Sequence, residues 1–229
     1  MPDNGPTMAT AAPVRRATRE DIPILAAVLA RAFAADPFFR FLAGDAPERS
    51  QRMRDGWTGI LRFASAGLTQ TWTTDDRAGA AIWIPPGRGP SSAVDQLRLV
   101  PVYGRLIGWL RLRQTGSAID ALDERRRIHA PGRHFYLSAL GVDPDRQGEG
   151  IGSALLGPVL AEADARGLPC YLETATGRNV LLYERHGFEV VEELVLPGTD
   201  VHGWLMLRAA SAAPPAATPG MRSNPRGSD

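Results

Sequence analysis

A glycine-rich segment in the last third of the sequence has the residue types that bind phosphate groups. It follows a strand pattern over residues 133–142 and opens a helical pattern over residues 150–166. Its residues are Gln147, Gly148, Glu149, Gly150, Ile151, Gly152 and Ser153. Glycine lets a backbone approach a ligand closely, and the free N–H groups at the start of a helix attract anions. The segment therefore predicts a site for a phosphate-bearing molecule.

Three known phosphate-binding patterns can be compared with this segment. A P-loop needs a Lys, and the sequence contains none, because all 26 basic residues are Arg. The dinucleotide-binding fingerprint needs a third Gly where Ser153 stands and a tighter turn than Asp143 to Gln147 allows, although Glu173 lies near the position of its ribose-binding acid. The third pattern, Gln-x-x-Gly-x-Gly, is complete from Gln147 to Gly152. The sequence favours the third pattern and leaves a dinucleotide site as the alternative.

With that pattern in the order strand, loop and helix, the chain resembles the GNAT superfamily of N-acetyltransferases, and within it the puromycin N-acetyltransferases. The likeness runs from Val142 to Gly187 and includes Arg16 to Asp21, whereas residues 44–128 match weakly. The resemblance implies acetyl-CoA as the co-substrate and direct acetyl transfer to an amine of a small molecule, with a puromycin-like antibiotic as the narrow expectation. A non-catalytic acyl-CoA-binding sensor and a nucleotide-dependent oxidoreductase are the alternatives.

The resemblance also implies roles for particular residues. The strand end at Leu140, Gly141 and Val142 would pair with the pantetheine arm of the coenzyme. Asn179 would lie near the thioester, and Tyr183 would protonate the departing thiolate, which is typically worth about 10²–10⁴-fold in rate. A core Tyr that anchors a short helix is the alternative for Tyr183. The residues of the pyrophosphate loop would be Gln147, Gly148, Glu149, Gly150, Ile151, Gly152 and Ser153.

The groups that would act on the acceptor amine come from several parts of the sequence. Glu173, at the end of a predicted strand, is the best candidate for the general base, and a purely structural carboxylate is the equal alternative. Asp36 and Phe38 follow the first helix, where this fold begins its acceptor pocket, and Trp83 is a further candidate for the pocket wall. Aromatic side chains with an acidic group suit an amine on an apolar body.

Hydrophobic periodicity predicts a single mixed α/β domain over residues 14–210. A helix capped by Thr18 is expected to end at Asp36-Pro37, and a second helix is expected to end at Gly67. The GNAT resemblance implies a mostly antiparallel sheet, flanked by helices and splayed where residues 140–142 meet the coenzyme. The predicted strands are residues 14–17, 68–73, 79–84, 133–142, 169–174, 188–196 and 202–208.

Composition argues against several other functions and locations. The formal net charge of +1 provides no strong field toward nucleic acid, and no apolar run approaches the roughly 20 residues of a membrane span. The single cysteine, Cys170, fits a reducing compartment, and the histidine spacing indicates no metal site. We therefore expect a cytoplasmic monomer or homodimer whose partner is a small-molecule amine, with no nucleic acid, membrane or metal.

The two ends and the middle of the chain carry weaker signals. Residues 1–13 and 211–229 are rich in Ala, Pro, Gly and Ser, which predicts disordered tails. Residues 91–128 mix apolar side chains with Arg, which predicts one or two helices that wall the acceptor pocket. A basic amphipathic stretch on a membrane surface is the alternative for this region.

Overall fold

The computed structural model describes residues 12–44, 48–87 and 112–211, together with Gly104. The predicted tails lie almost wholly outside the described residues, and so does the first part of the amphipathic stretch, up to residue 111.

The described residues form a seven-stranded sheet with helices on both faces. Its strand order is β1-β2-β3-β4-β5-β7-β6, and β4–β5 is the parallel pair in an otherwise antiparallel sheet. This confirms the predicted mixed, mostly antiparallel sheet. The strands are β1 (Val14–Arg16), β2 (Gln70–Thr74), β3 (Gly79–Ile84), β4 (Phe135–Val142), β5 (Cys170–Thr174), β6 (Glu189–Val195) and β7 (His202–Arg208). The α-helices are α1 (Ile22–Ala32), α2 (Pro37–Ala43), α3 (Arg49–Phe63), α4 (Leu112–His129), α5 (Ile151–Ala165) and α6 (Gly177–Glu184).

One buried carboxylate, Asp21, joins β1 to the start of α1. It accepts hydrogen bonds from the Arg15 guanidinium at 2.7 and 2.9 Å and from Arg77 Nε at 2.8 Å. The backbone N–H of Thr18 donates a further bond at 2.8 Å, which completes the capping turn before the helix. Because its donors lie on β1, the capping turn and the β2–β3 turn, Asp21 holds three segments together.

Asp36 and Pro37 begin a helix in the structure, whereas the sequence led us to expect that they end one. α1 already ends at Ala32, and α2 starts at Pro37. The Asp36 carboxylate caps α2 by accepting a hydrogen bond from the N–H of Phe39 at 3.0 Å. The expectation was wrong because a dipeptide that cannot continue a helix is well suited to starting one: Asp accepts from the first turn, and Pro needs no N–H there.

The sheet packs a hydrophobic core on each face. α5 covers one face, where Leu155, Leu156 and Val159 are fully buried against strand residues such as Phe135. On the other face α1 and α3 pack together, with Leu25 among the buried residues of that cluster. Both faces of the central strands are therefore covered, as is usual for strands in the middle of an α/β sheet.

The sheet opens in its middle, between β4 and β5. These strands pair only from Phe135 opposite Cys170 to Leu137 opposite Leu172, whereas β4 continues along β3 to Val142. A bulge at Ser138 accompanies the separation, since Leu137 and Ala139 face consecutive residues of β3. Among the described residues, the second half of β4 therefore has no strand partner on the side of β5, as the GNAT resemblance implies.

Within the described part of the chain, no single helix is long and apolar enough to cross a membrane. Arg19–Ala32 and Pro37–Ala43 have the required length and apolarity only when taken together, and the two are bent by 106° relative to each other.

Candidate active site

The glycine-rich loop leads from β4 into α5 and has the backbone shape of an anion site. Gly148 and Gly150 have φ angles of +88° and +78°, which side chains with a Cβ rarely adopt, and Gly150 is the N-cap of α5. The first N–H groups of α5 have no partner within the helix. In the described chain, the N–H groups of Gly148, Glu149 and Gly150 donate to no backbone carbonyl. The loop therefore offers several free donors at the positive end of a helix dipole.

Side chains around the loop hold it in this shape. Gln147 donates from Nε2 to the carbonyl of Val142 at 3.3 Å and accepts from Arg178 Nη2 at 3.3 Å. Arg146 pairs with Glu149 at 2.8 Å and with Asp76 of the β2–β3 turn at 3.1 Å. The Glu149 side chain is therefore held by Arg146.

Gly141 lets α1 approach β4 closely. A Cβ built on Gly141 would lie 2.7 Å from Leu29 Cδ2, 3.0 Å from Phe33 Cε2 and 3.1 Å from Ala32 Cβ. The backbone between Leu140 and Val142 is thereby held against α1, with the unpartnered edge of β4 beside the glycine-rich loop. This stretch fits the role that the resemblance implies for it, which uses only backbone atoms.

A cavity of about 130 Å³ lies where β4 and β5 separate. It brings together residues that are far apart in the sequence: the predicted Tyr183, Glu173 and Asn179 line it together with Asp36 and Phe38. Its remaining lining residues are Phe33, Phe39, Leu122, Tyr136, Leu137, Ser138, Leu140, Thr174, Ala175, Leu196 and Gly203.

Trp83 does not line this cavity, contrary to expectation. Its side chain is fully buried in the core between the sheet and α5, near Phe135 and Leu155. The sequence did not indicate its direction because Gly79 to Trp83 of β3 are all buried, so the strand lacks the alternation that distinguishes its two faces.

Tyr183 lies on α6, is buried and lines the cavity. Its ring packs edge-on against Phe188, with centroids 5.9 Å apart, which fixes its direction. Burial and, secondarily, the nearby Asp36 carboxylate raise the pKa of its phenol. At neutral pH this phenol keeps its proton and can donate it to a strongly basic atom in the cavity.

Glu173 lies at the end of β5, on the side of the sheet that faces α4. Its Oε1 is inaccessible to solvent and has no hydrogen-bond partner among the described residues. Burial raises the pKa of this carboxyl to about 7, while the Tyr136 hydroxyl and the Arg126 charge oppose the rise. A carboxyl with such a pKa exchanges a proton readily near neutrality, as a general base must.

Asp36 is the second carboxyl group of the cavity, and its oxygens are already in use. One oxygen caps α2 through Phe39, and the other accepts a hydrogen bond from Thr176 Oγ1 at 3.2 Å. Burial raises the pKa of Asp36, and these hydrogen bonds lower it. Because Thr176 is the N-cap of α6, Asp36 connects the starts of α2 and α6 across the cavity.

Several cavity residues were missed in the sequence. Tyr136 lies beside Glu173 because β4 and β5 are adjacent, and Thr174 accepts from Asn179 Nδ2 at 3.5 Å. Ser138 marks the bulge. Tyr136 and Ser138 lie on β4, the strand whose end was predicted to bind the coenzyme, and this position could have indicated them.

Among the residues that the structure describes, no three His, Cys, Asp or Glu side chains come together in a group that could hold a metal ion. The histidines there are engaged elsewhere, for example His186 with Ser153 Oγ at 3.0 Å and His129 with Glu192 at 2.6 Å.

Two acetyltransferases of known sequence align with most of this chain. An uncharacterized N-acetyltransferase of Schizosaccharomyces pombe is 26% identical over 188 residues, which cover 80% of this chain and 76% of that protein. A mycothiol acetyltransferase of Geodermatophilus obscurus is 33% identical over 163 residues, covering 65% of this chain but only 50% of that protein.

Solved structures share the fold at low sequence identity. The histone acetyltransferase HPA2 and related acetyltransferase from Corynebacterium glutamicum gives a TM-score of 0.66 at 24% identity, covering 89% of this chain and 98% of that one. The polyamine N-acetyltransferase of Drosophila melanogaster gives 0.58 at 16% identity, covering 86% of this chain and 99% of that one. At these identities the likeness concerns the fold alone.

The family relationship is carried by the region that contains the site. The model of the Acetyltransferase (GNAT) family matches residues 69–188, just over half of the chain, from β2 to the start of β6. The match includes the opened strand pair, the glycine-rich loop, Glu173 and Tyr183. The chain therefore belongs to the GNAT family and is an acyltransferase.

Proposed function

We propose that this chain transfers the acetyl group of acetyl-CoA directly to an amine of a small molecule. The observation that carries the proposal is the cavity between β4 and β5, where Tyr183, Glu173 and Asn179 meet beside the free edge of β4. A donor for a thiolate, an acceptor for an ammonium proton and a polar anchor thus border one space. The GNAT family generally uses acetyl-CoA, which the glycine-rich loop suits.

The residues around the cleft fit the different parts of the coenzyme. The N–H groups of Gly148 to Ser153 would bind the pyrophosphate, and Gln147 keeps their loop in shape through Val142 and Arg178. The free edge of β4 at Leu140 and Val142 would hydrogen-bond the pantetheine arm as another strand would. Asn179 would hold the region near the thioester. When bound, the coenzyme supplies the activated acetyl group.

The two candidate catalytic residues would act on opposite sides of the transfer. Glu173 would take a proton from the acceptor ammonium, and the nitrogen lone pair would form a bond to the acetyl carbon. The carbon–sulfur bond then breaks, and Tyr183 would give its phenol proton to the departing thiolate. The nitrogen, cationic after the attack, would lose its second proton to give the amide, and that proton would restore the Tyr183 phenol directly or through solvent. Glu173 suits the base role better than Asp36, because Asp36 uses its oxygens to cap α2 and bind Thr176, whereas Glu173 Oε1 is free among the described residues.

The charge and shape of the cavity support an amine acceptor with an apolar body. The cavity contains the two carboxyl groups of Asp36 and Glu173, and the Arg126 cation lies near Glu173. A protonated amine would bring a second positive charge to balance the two carboxyl groups. Aromatic rings, among them Phe38 and Tyr136, would contact the apolar part and favour a cation. A puromycin-like aminoacyl nucleoside has both features and is the narrow proposal, with other aromatic amines as the broader class.

The test is release of free thiol from acetyl-CoA over a panel of amines that includes puromycin, for the wild type and for Tyr183→Phe. We expect turnover with at least one aromatic amine, and a loss of about 100-fold or more in kcat for Tyr183→Phe. Acetyl-CoA affinity should change less than about threefold, because the ring remains in place and only the hydroxyl is lost.

Each result has a definite interpretation. Turnover with puromycin supports the narrow proposal, and turnover with another amine alone rejects it while keeping the reaction. Wild-type turnover by Tyr183→Phe would rule out Tyr183 as the acid. Acetyl-CoA binding without thiol release for any amine would instead favour an acyl-CoA sensor.

A further inference from the structure

Glu173 shares its side of the sheet with two tyrosines. Tyr171 precedes Glu173 by two residues on β5, so both side chains leave the strand on the same face. Tyr136 on β4 is the register partner of Tyr171, and their ring centroids are 6.2 Å apart. Tyr171 is fully buried, and its hydroxyl has no hydrogen-bond partner among the described residues. Buried polar groups without a hydrogen-bond partner are uncommon and destabilise the folded state, which suggests that this cluster has a functional role.

α4 brings one positive charge to this cluster. The guanidinium of Arg126 lies 4.4 Å from the centroid of the Tyr136 ring, and Arg126 also pairs with Asp123 one turn earlier. Its neighbour Arg125 points elsewhere and pairs with Glu192 of β6 at 3.2 Å. Of these two neighbouring arginines, Arg126 is therefore the one that contacts Tyr136, a residue of the cavity wall.

The charges around Glu173 oppose one another. Burial disfavours its ionised form, whereas the hydroxyl of Tyr136 and the charge of Arg126 favour it and lower the pKa of the carboxyl. Asp123 acts in the opposite direction. Asp36 borders the same cavity from the α2 side, and Glu192 of β6, paired with His129, lies near Tyr171.

We propose that Tyr136 and Arg126 are positioning residues that favour the ionised form of the Glu173 carboxyl and direct it at the acceptor amine. The proposal rests on the role of Glu173 as the general base. A phenol O–H donates more strongly to an ionised carboxylate than to a protonated carboxyl group, so it favours the ionised form and fixes its direction. The Arg126 cation stabilises the same form from behind, and its contact with the Tyr136 ring holds the phenol in place. α4, outside the reacting centre, thereby sets the pH at which the site works.

The experiment compares the pH dependence of kcat/KM for the wild type, Tyr136→Phe and Arg126→Met, with the best amine of the panel. Arg125→Met is the control, since it removes the same charge from the same helix at a side chain that faces Glu192. We expect the limb that rises with pH to move upward by about 0.5 to 1 unit in Tyr136→Phe and in Arg126→Met, with the high-pH plateau kept within about twofold. Arg125→Met should leave the limb in place, and Asp123→Asn should move it to lower pH.

A second measurement does not depend on activity. The carboxyl ¹³C signal of Glu173, assigned with Glu173→Gln, can be titrated in the free protein and should show the same shifts. An unmoved titration in both Tyr136→Phe and Arg126→Met would overturn the proposal, as would a uniform loss of kcat/KM at every pH. If Glu173→Gln keeps wild-type activity, the assignment of the base fails instead, and the carboxyl titration still decides whether Tyr136 and Arg126 favour the ionised form of the carboxyl.

Discussion

The two carboxyl groups of the cavity differ in what surrounds them, and that difference decides their chemistry. Asp36 receives hydrogen bonds from Phe39 N–H and Thr176 Oγ1, so its direction is fixed and both of its oxygens are in use, although burial raises its pKa. Glu173 has a buried oxygen without a partner in the described chain, and its pKa is raised to about 7. A base needs a free lone pair and a pKa near the working pH, and Glu173 meets both conditions.

The raised pKa of Glu173 predicts a stability that falls as pH rises. The folded state holds this proton more tightly than the unfolded state, where the value is near 4.5. The contribution is therefore complete below about pH 4.5 and is lost as pH rises through about 7. Glu173→Gln keeps the shape but cannot ionise. Relative to this variant, the wild type should lose on the order of 1–3 kcal/mol of unfolding free energy between about pH 4.5 and about pH 8 in urea denaturation.

Glu189→Gln provides the control for this prediction, because it removes a carboxylate from an exposed position on β6. Its unfolding free energy should follow the wild type across the same pH range. A wild type and a Glu173→Gln variant whose stabilities run parallel from acid to alkaline pH would show that the Glu173 carboxyl is not held protonated by its surroundings.

At the scale of elements, local sequence patterns predicted the structural features that are set by neighbouring residues, and they did not predict contacts between distant elements. The glycine spacing from Gln147 to Gly152 indicated the loop and the start of α5, because a left-handed N-cap and close backbone approach need glycine at fixed positions. The position of Tyr136 behind Glu173 depends on the pairing of β4 with β5, and the position of Arg126 depends on how α4 packs. No regular spacing of residues in the sequence indicates either of these contacts.

Two glycines, one at the N-cap of α5 and one inside α4, should respond to alanine in opposite ways. Gly150 has a φ angle of +78°, so Gly150→Ala should cost about 1–2 kcal/mol and should weaken acetyl-CoA binding by disturbing the loop. Gly116 lies in the interior of α4 with open space where a Cβ would lie, so Gly116→Ala should stabilise the protein by about 0.5–1 kcal/mol and leave acetyl-CoA binding unchanged. Urea denaturation and acetyl-CoA titration measure both. Equal effects of the two substitutions on binding would contradict a special role for the Gly150 backbone.

At the scale of the whole molecule, ion pairs hold both ends of the described domain to its centre. At the C-terminal end, Arg208 of β7 binds Asp164 of α5 at 2.7 and 2.9 Å and donates to the carbonyl of His186 at 3.0 Å. At the N-terminal end, Asp21 joins Arg15 on β1 to Arg77 in the β2–β3 turn. Both pairs involve positions distant in sequence, so they add to the cooperativity of the single domain.

The N-terminal ion pair predicts a large loss of stability on removal of Asp21. Its side chain is only 2% exposed, and Arg15 and Arg77 would lose the carboxylate that binds both of them. We expect Asp21→Ala to lower the unfolding free energy by about 2–4 kcal/mol at neutral pH. Asp75→Ala is the matched control, because Asp75 also pairs with Arg15 but is 56% exposed, and it should cost less than about 1 kcal/mol.

The same carboxylate predicts how this difference depends on pH. Hydrogen bonds from Arg15 first, with those from Thr18 and Arg77, hold the pKa of Asp21 well below its usual value of 3.8. Its contribution is therefore present above the unfolded value and is lost as pH falls toward the lower folded value. The stability gap between the wild type and Asp21→Ala should be constant above about pH 5 and should narrow in more acidic solution. If the difference in unfolding free energy between the wild type and Asp21→Ala stayed constant down to the pH of acid unfolding, Asp21 would stabilise the fold through packing. Its charge would then not be what joins the three segments.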